Sequence, residues 1–236
     1  MIPLRDNIEA ERRVWVNWLL IALNVAAFLY ELSLGPLLPA FFQDHGLVPA
    51  RVLNAHAWSM SFEHQLGPLV LHLFLHGGWL HLIGNMWFLH IFGDNIEGRL
   101  GHFDYLLFYL GCGLAAAAGQ VLSGPESFTP MIGASGAVAG VLGAYLVLFP
   151  RARVLTLVPI FIFIQFLELP AVVFLGFWGL MQFFRGTADL VGAGGGATDG
   201  VAWWAHVAGF VAGALFMWAR PALRRPAPRW RQRYVR

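Results

Sequence analysis

Residues 132–149 read IGASGAVAGVLGAYLVLF, a run of small and apolar residues long enough to form a membrane-spanning helix. Ser135 lies near the start of this run, within Gly133-Ala134-Ser135-Gly136. His206 lies near the start of a second apolar run, within WWAHVAG at 203–209. Hydrocarbon penalises polar side chains, so polar residues inside spanning helices are functional candidates. A nucleophile type and a base type in two separate runs therefore mark a candidate site.

The composition places the chain among integral membrane proteins. It is 58% hydrophobic and 12% charged, with a mean hydropathy of +0.63. A soluble domain of 236 residues could not bury that much apolar surface. Cys112 is the only cysteine, which excludes an internal disulfide and a cysteine-based metal cluster. No Ala-x-Ala-like site follows the first apolar run, so we expect that run to be retained as a span.

Six stretches approach the roughly 20 apolar residues that a spanning helix needs. They predict an all-α fold, a polytopic bundle of six transmembrane helices, at 14–32, 78–97, 102–123, 132–149, 167–185 and 201–219. Two further apolar stretches are ambiguous. We expect 66–77 to be part of a structured loop that enters the outer leaflet. We expect 154–166 to be an approach segment on the cytoplasmic side, or else an extension of the fifth helix.

The placement of the arginines predicts the orientation of the bundle. With six spans, both termini share one side with the loops near 98–101 and 150–153, and that side holds all the arginines except Arg51 and Arg185. The positive-inside rule then places both termini in the cytoplasm. An Ala- and Gly-rich chain without lysine, built on a minimal six-span core, indicates a multi-pass protein of the bacterial inner (plasma) membrane.

These patterns divide the chain into three parts. Residues 1–13 form a basic cytoplasmic N-terminal segment, 14–219 a six-span catalytic domain, and 220–236 a cytoplasmic tail rich in arginine and proline. The prolines of the tail forbid a long helix. Beside a span, a basic tail is expected to bind anionic lipid headgroups rather than nucleic acid. No feature of the sequence specifies an oligomeric state.

Four polar side chains are predicted to lie at one depth. Spans two, four and six all enter from the non-cytoplasmic face, and Asn85, Ser135 and His206 each lie within about two turns of that end. At 1.5 Å per residue, this depth is roughly 5–10 Å below the outer interface. His81 lies one turn before Asn85 on the same helical face. The four side chains are therefore expected to converge.

Glycines near the two reactive residues predict close packing of spans four and six. Gly133, Gly136 and Gly140 surround or follow the serine, and Gly209 and Gly213 follow the histidine. Small residues four apart allow helix backbones to approach closely in lipid. Such an approach is what a hydrogen bond of about 2.6–3.2 Å between serine and histidine requires.

The pair Ser135 and His206 indicates peptide-bond hydrolysis. The histidine would accept the serine proton during attack on a carbonyl and return it to the leaving amine. No carboxylate is well placed to orient the imidazole, so a dyad is favoured over a triad. Asp199 lies in a predicted loop, and Glu168 and Asp104 lie near the ends of other spans.

Charge on the tetrahedral intermediate needs hydrogen-bond donors. The candidates are the side chains of Asn85 and His81 and the backbone N–H of Ser135. Hydrolysis also needs water, and His72 and His76 are predicted to line a wet cavity open to the outer face. These two histidines lack a carboxylate partner, so we predict no metal and no cofactor.

These residues resemble a rhomboid intramembrane serine protease over nearly the whole chain. The resemblance is carried by MIPLRD at 1–6, HGGWLHLIGNM at 76–86, GDNIE at 93–97, GASG at 133–136 and AHVAG at 205–209. It implies a six-helix fold, with Ser135 as nucleophile and His206 as base. It also implies an oxyanion hole that includes His81 and Asn85, a first loop (about 33–77) embedded in the outer leaflet, and transmembrane protein substrates.

One position departs from part of that family. Some members carry an aromatic residue one turn after the nucleophile, where it stacks on the catalytic histidine, whereas this chain has Ala139. What orients His206 is therefore open.

Substrate entry and function have competing interpretations. Bulky residues of the fifth span either form a gate together with the loop Gly192–Gly196, or face lipid; they are Phe174, Phe177, Trp178, Phe183 and Phe184. The alternatives to a protease are a non-catalytic rhomboid-like binder of membrane clients and a transporter or proton relay built on the intramembrane histidines. A transporter predicts paired acidic residues or inverted repeats in the spans, and we find neither.

Overall fold

The computed structural model describes residues 1–53, 62–160, 163–191 and 201–224, without the side chains of 62–65, 160 and 224. The chain begins with strand β1 (Ile2–Asp6) and then forms helices interrupted by one hairpin. The elements that follow are α1 (Val16–Ser33), α2 (Leu38–His45), α3 (Pro49–Leu53), α4 (Phe62–Leu71), α5 (Trp79–Leu100), α6 (His102–Ser123), α7 (Ser135–Leu148), β2 (Arg153–Ile160), β3 (Phe163–Pro170), α8 (Ala171–Leu190) and α9 (Trp203–Trp218).

Each of the six predicted spans coincides with a helix to within a few residues: α1, α5, α6, α7, α8 and α9. Among the described residues, α1, α6 and α8 are long and apolar enough to cross a membrane on their own. A fourth span is counted if Leu66–Phe74 and α5, which meet at an angle of 86°, are taken as one bent span. Helices α7 and α9 are apolar but shorter, with 14 and 16 residues. The chain is therefore an integral membrane protein.

The chain is mostly helical, as predicted, but the all-α prediction did not include a three-stranded antiparallel sheet in the order β1-β2-β3. Ile2 is paired with Leu157 across β1 and β2, and Arg153 with Pro170 across β2 and β3. The described residues of 154–166, predicted as an approach segment or a helix extension, thus belong to the paired strands β2 and β3. Proline explains why they do not extend α8, since Pro170 disfavours helical geometry at the residue before it.

The segment before α5 folds into short helices, as expected for a structured loop. A 3₁₀ turn at Gly35–Leu37 precedes α2, and another at His72–Phe74 follows α4. Leu47 pairs with Met131, so this segment is joined by backbone hydrogen bonds to the residues that lead into α7. It therefore packs beside the candidate nucleophile.

Helix α7 lies at the centre of the bundle. Its residues from Gly136 through Tyr145 are all buried, and its neighbours are α9, α6 and α5. The backbones of α7 and α9 touch at the predicted glycines: a Cβ at Gly209 would overlap the carbonyl oxygen of Gly136, and one at Gly213 would lie 2.6 Å from the carbonyl carbon of Gly140. Only glycine permits this approach.

A buried carboxylate joins α5 to the start of α1. Glu97 accepts the backbone N–H groups of Trp15 and Val16 at 3.0 Å and of Asn17 at 2.7 Å. It also lies 2.6 Å from Nδ1 of His102. The first N–H groups of a helix lack partners within the helix, and an anion there is favoured by the helix dipole. Glu97 therefore caps α1 and fixes it against α5.

Candidate active site

Ser135 is the first residue of α7, and the backbone before it is held by a glycine. Gly133 has φ +123°, a conformation that L side chains rarely adopt, and its N–H donates to the carbonyl of His72 at 2.8 Å. A Cβ at this position would also lie 2.6 Å from Nε2 of His81. As the first residue of a helix, Ser135 has a backbone N–H with no intrahelical acceptor.

The structure brings Ser135 and His206 into direct contact. His206 lies in the first turns of α9, and its Nε2 is 2.8 Å from Oγ of Ser135. This distance is the one that the glycine spacing was expected to allow. The contact follows from the packing, because Gly136 and Gly209 touch within three residues of the two side chains.

The other ring nitrogen of His206 has a partner on α8. Nδ1 lies 2.9 Å from Oε1 of Gln182, and the amide of Gln182 donates from Nε2 to the carbonyl of Trp178 at 3.3 Å. The indole rings of Trp178 and Trp203 flank the imidazole, with centroids 6.1 and 6.0 Å away. Gln182, Trp178 and Trp203 therefore surround the imidazole, whereas Ala139, one turn after Ser135, has no ring to stack on it.

Sequence reasoning missed Gln182, although a signal was present. It is a polar, uncharged residue inside an apolar predicted span, and such residues are functional candidates for the same reason as Ser135 and His206. The carboxylates named from the sequence do not contact His206 where the structure describes them. Glu168 pairs with Arg153 at 3.3 Å, Asp104 lies in the first turn of α6, and Asp199 is outside the described residues.

Asn85 and His81 project from α5 toward the same site. Asn85 is 8% exposed, and its Nδ2 has no hydrogen-bond partner among the described residues. A buried donor without an acceptor is costly in a resting protein, but it is available to a group that arrives. His81 lies beside Gly133 and stacks edge-to-face on His76, with ring centroids 5.1 Å apart.

Ser135, His206, Asn85, His81 and Gln182 line one cavity of about 860 Å³ that is open to the surface. Its remaining wall is largely apolar. The apolar part includes Trp79, Leu80, Phe88, Ile132, Val138, Leu142 and Trp178, with Gly77, Gly78 and Gly84 beside them. The cavity can therefore admit an apolar chain segment next to a small group of polar atoms.

His72 and His76 do not line this cavity, which corrects the expectation that they would. Both are 1% exposed, because they pack behind its wall. Nδ1 of His72 lies 2.7 Å from the carbonyl oxygen of Pro68. The backbone N–H of His76 donates a hydrogen bond to Oε1 of Glu31 at 3.1 Å. The described residues hold no group of three side chains placed to bind a metal ion.

The bulky residues of α8 divide between two environments. Phe174 is buried against Phe88 and Phe92, and Trp178 lines the cavity. The remaining three, Phe177, Phe183 and Phe184, are exposed on the surface of the helix. The loop Gly192–Gly196, predicted as part of a gate, lies outside the described residues.

Comparison with known proteins gives a consistent family assignment. The family model described as "Rhomboid domain" matches residues 63–222, which is more than half of the chain. The chain therefore belongs to the rhomboid family.

Relatives come from organelles and from bacteria. The chain is 31% identical to rhomboid-like protein 11, chloroplastic, of Arabidopsis thaliana over 58% of this chain and 43% of that protein. It is 31% identical to the human presenilin-associated rhomboid-like protein, mitochondrial, over 53% of this chain and 35% of that protein. It is 35% identical to the candidate rhomboid protease YdcA of Bacillus subtilis over 33% of this chain and 39% of that protein. The matches thus span about two fifths of the length of these relatives.

Proposed function

We propose that this protein is an intramembrane serine endopeptidase that cleaves transmembrane segments of other proteins near the outer face of the membrane. The observation that carries the proposal is the 2.8 Å contact between Oγ of Ser135 and Nε2 of His206 at the wall of an open, mostly apolar cavity. A serine hydroxyl becomes a nucleophile when an adjacent base accepts its proton.

The reaction follows from the atoms that surround this pair. His206 accepts the proton of Ser135 as Oγ attacks the scissile carbonyl, and the oxygen of that carbonyl becomes an anion. Nδ2 of Asn85, the ring of His81 and the N–H of Ser135 are the donors for that anion. His206 then protonates the leaving amine, and a water molecule hydrolyses the acyl-enzyme by the same route in reverse.

The lengths of the helices support a site within the membrane. A helix of 14 residues is about 21 Å long, whereas the hydrocarbon core is about 30 Å thick. Because α7 is surrounded by protein, it need not match that thickness. If its last turn lies near the cytoplasmic interface, Ser135 at its first residue lies about 9 Å below the outer one. This is the depth that the sequence predicts.

The same proposal includes the topology. Six spans within 14–219 form the catalytic domain, with the segment 1–13 and the basic tail 220–236 both in the cytoplasm. The protein resides in a bacterial inner membrane, and its first loop is embedded in the outer leaflet. Its partners are the lipid bilayer and transmembrane protein substrates.

A cleavage assay tests this function. The purified protein in detergent is incubated with a membrane-anchored test substrate, beside Ser135→Ala and His206→Ala. Ser123→Ala is the matched control, because the hydroxyl of Ser123 donates only within its own helix, to the carbonyl of Gln120 at 2.9 Å. We expect cleavage by the wild type and the control and none by the two site variants. Equal turnover by the wild type and Ser135→Ala would refute the proposal.

The second candidate function is that of a non-catalytic binder of membrane clients. It predicts that the wild type and Ser135→Ala capture the test substrate equally in a crosslinking assay while neither cleaves it. The protease proposal predicts capture by both proteins and product from the wild type alone.

A further inference from the structure

We propose that Gln182 is a positioning residue that selects the tautomer of His206 required for base catalysis. The inference rests on the proposed function, since it assigns a role within the same site. It concerns a side chain of α8 that carries no charge and touches the base rather than the nucleophile.

The tautomer follows from which atom of Gln182 meets the imidazole. A carbonyl oxygen accepts hydrogen bonds and donates none. Oε1 at 2.9 Å from Nδ1 therefore requires that Nδ1 carry the proton. In a neutral imidazole, Nε2 is then the unprotonated nitrogen. This is the nitrogen that lies 2.8 Å from Oγ of Ser135 and has to accept its proton.

The backbone of α8 fixes the orientation of the amide itself. Nε2 of Gln182 donates to the carbonyl of Trp178, one helical turn earlier, at 3.3 Å. If the amide were reversed, two oxygens would face each other there. The reversed amide would also donate to Nδ1 and leave the proton on Nε2, which would then point at the serine. The Trp178 carbonyl therefore determines, through Gln182, the nitrogen of His206 that acts as base.

Gln182 is well suited to a site surrounded by lipid. It is 8% exposed, so a charged partner at this place would be desolvated. The neutral amide supplies the orienting acceptor without that cost. This gives a physical reason why the site functions as a dyad with no carboxylate in the third position, and why it tolerates Ala139.

The hydrogen bond also links two helices. Gln182 belongs to α8 and His206 to α9, and Trp178 of α8 lines the cavity between them and α5. The tautomer is therefore held only while α8 is seated against α9.

The test compares three variants in the cleavage assay, with kcat and KM measured separately. Gln182→Met has nearly the same length but no amide, and we expect kcat to fall about 5- to 10-fold, the value of one hydrogen bond. KM is expected to stay within about twofold, because Gln182 acts through His206. Gln182→Glu keeps an oxygen beside Nδ1, but its second oxygen would face the carbonyl of Trp178 and its charge would be desolvated, so we expect it to recover only part of the lost kcat.

Gln120→Met is the matched control. Gln120 also supports α9 through its side-chain oxygen, but it accepts from the backbone N–H of Ala205 at 3.3 Å rather than from the histidine ring. We expect this variant to lower thermal stability and leave kcat within about twofold. A fall in kcat as large as that of Gln182→Met would mean that support of the helix, and not of the tautomer, is what matters.

A spectroscopic measurement on the wild type does not depend on any Gln182 variant folding. In protein labelled with ¹⁵N-histidine, the resonances of His206 are assigned by their absence in His206→Ala. We expect Nδ1 to be protonated and Nε2 to be unprotonated at a pH where the ring is neutral. The opposite assignment would overturn the inference.

Failure of the inference and failure of the proposed function give different results. If Gln182→Met matches the wild type in kcat while Ser135→Ala is inactive, the role of Gln182 is refuted and the protease stands. If Ser135→Ala is as active as the wild type, the proposed function itself is refuted.

Discussion

Replacing Gly209 by alanine should separate α7 from α9 and disconnect the reactive pair. A Cβ there would overlap the carbonyl oxygen of Gly136 and lie 3.0 Å from its carbonyl carbon. Carbon atoms in contact prefer about 3.5–4.0 Å and the oxygen overlap is more severe, so the helices must move apart by about 1 Å. Gly136 directly follows Ser135, and Gly209 is three residues after His206, so the separation reaches both side chains.

The expected loss can be estimated from the geometry of the site. An increase of about 1 Å takes the Ser135–His206 distance from 2.8 Å to a value beyond hydrogen-bond range. Misplacement of this size in a reacting pair costs about 10² in rate. We therefore expect kcat of Gly209→Ala to fall about 100-fold, with the protein still monodisperse in detergent.

The matched control is Gly111→Ala on α6. A Cβ at Gly111 meets nothing within 4 Å, so this substitution removes a helical glycine without moving a neighbour. Cleavage of the test substrate is measured for both variants, together with thermal unfolding. Wild-type kcat in folded Gly209→Ala, or an equal loss in Gly111→Ala, would refute the reasoning.

Three further predictions follow from the same structure. Glu97→Gln removes the charge that caps α1 and should lower the free energy of unfolding by about 3 kcal/mol, measured by denaturant titration in detergent. Unchanged stability would contradict the claim that the Glu97 carboxylate stabilises the start of α1. Burial raises the pKa of Asp6, which accepts from the hydroxyl of Tyr145 and lies near Asp94, from 3.8 to about 7. The folded state therefore favours the protonated carboxyl, so this contribution to stability is complete below about pH 4 and is lost as the pH rises to about 7. The melting temperature should therefore fall between about pH 4 and pH 7, and it should fall less in Asp6→Asn. If the melting temperature of Asp6→Asn depends on pH as steeply as that of the wild type, groups other than Asp6 cause the fall. Gly133→Ala should abolish cleavage, because the new Cβ would overlap the ring of His81 and because alanine rarely adopts the positive φ of this residue. Wild-type activity in Gly133→Ala would show that cleavage does not depend on this backbone conformation before Ser135.

The helices were predictable because hydrocarbon constrains sequence strongly. Each spanning segment must be apolar over many residues, so α6 was predicted at its observed bounds and the other five helices to within a few residues. The contact of Ser135 with His206 was also predictable. It needs only equal depth and glycines at the facing surfaces, and both features are local in the sequence.

The features that were missed depend on tertiary structure. The β2–β3 hairpin is apolar enough to resemble part of a span, and its identity as a strand depends on pairing with β1, far away in the sequence. Gln182 could be noticed as polar, but its partner on another helix is set by how α8 rotates against α9. His72 and His76 were assigned to the cavity from their predicted shallow depth beside the Gly77-Gly78 break, whereas both side chains are buried in the protein.

The most direct test of the account is covalent labelling of the serine by a fluorophosphonate probe, read by mass spectrometry of the intact protein and its peptides. If His206 activates Ser135, the wild type should carry one label on Ser135, and His206→Ala should lose nearly all of it. Equal labelling of Ser135 in both proteins, or no labelling of it in the wild type, would contradict the claim that these two side chains form a catalytic pair.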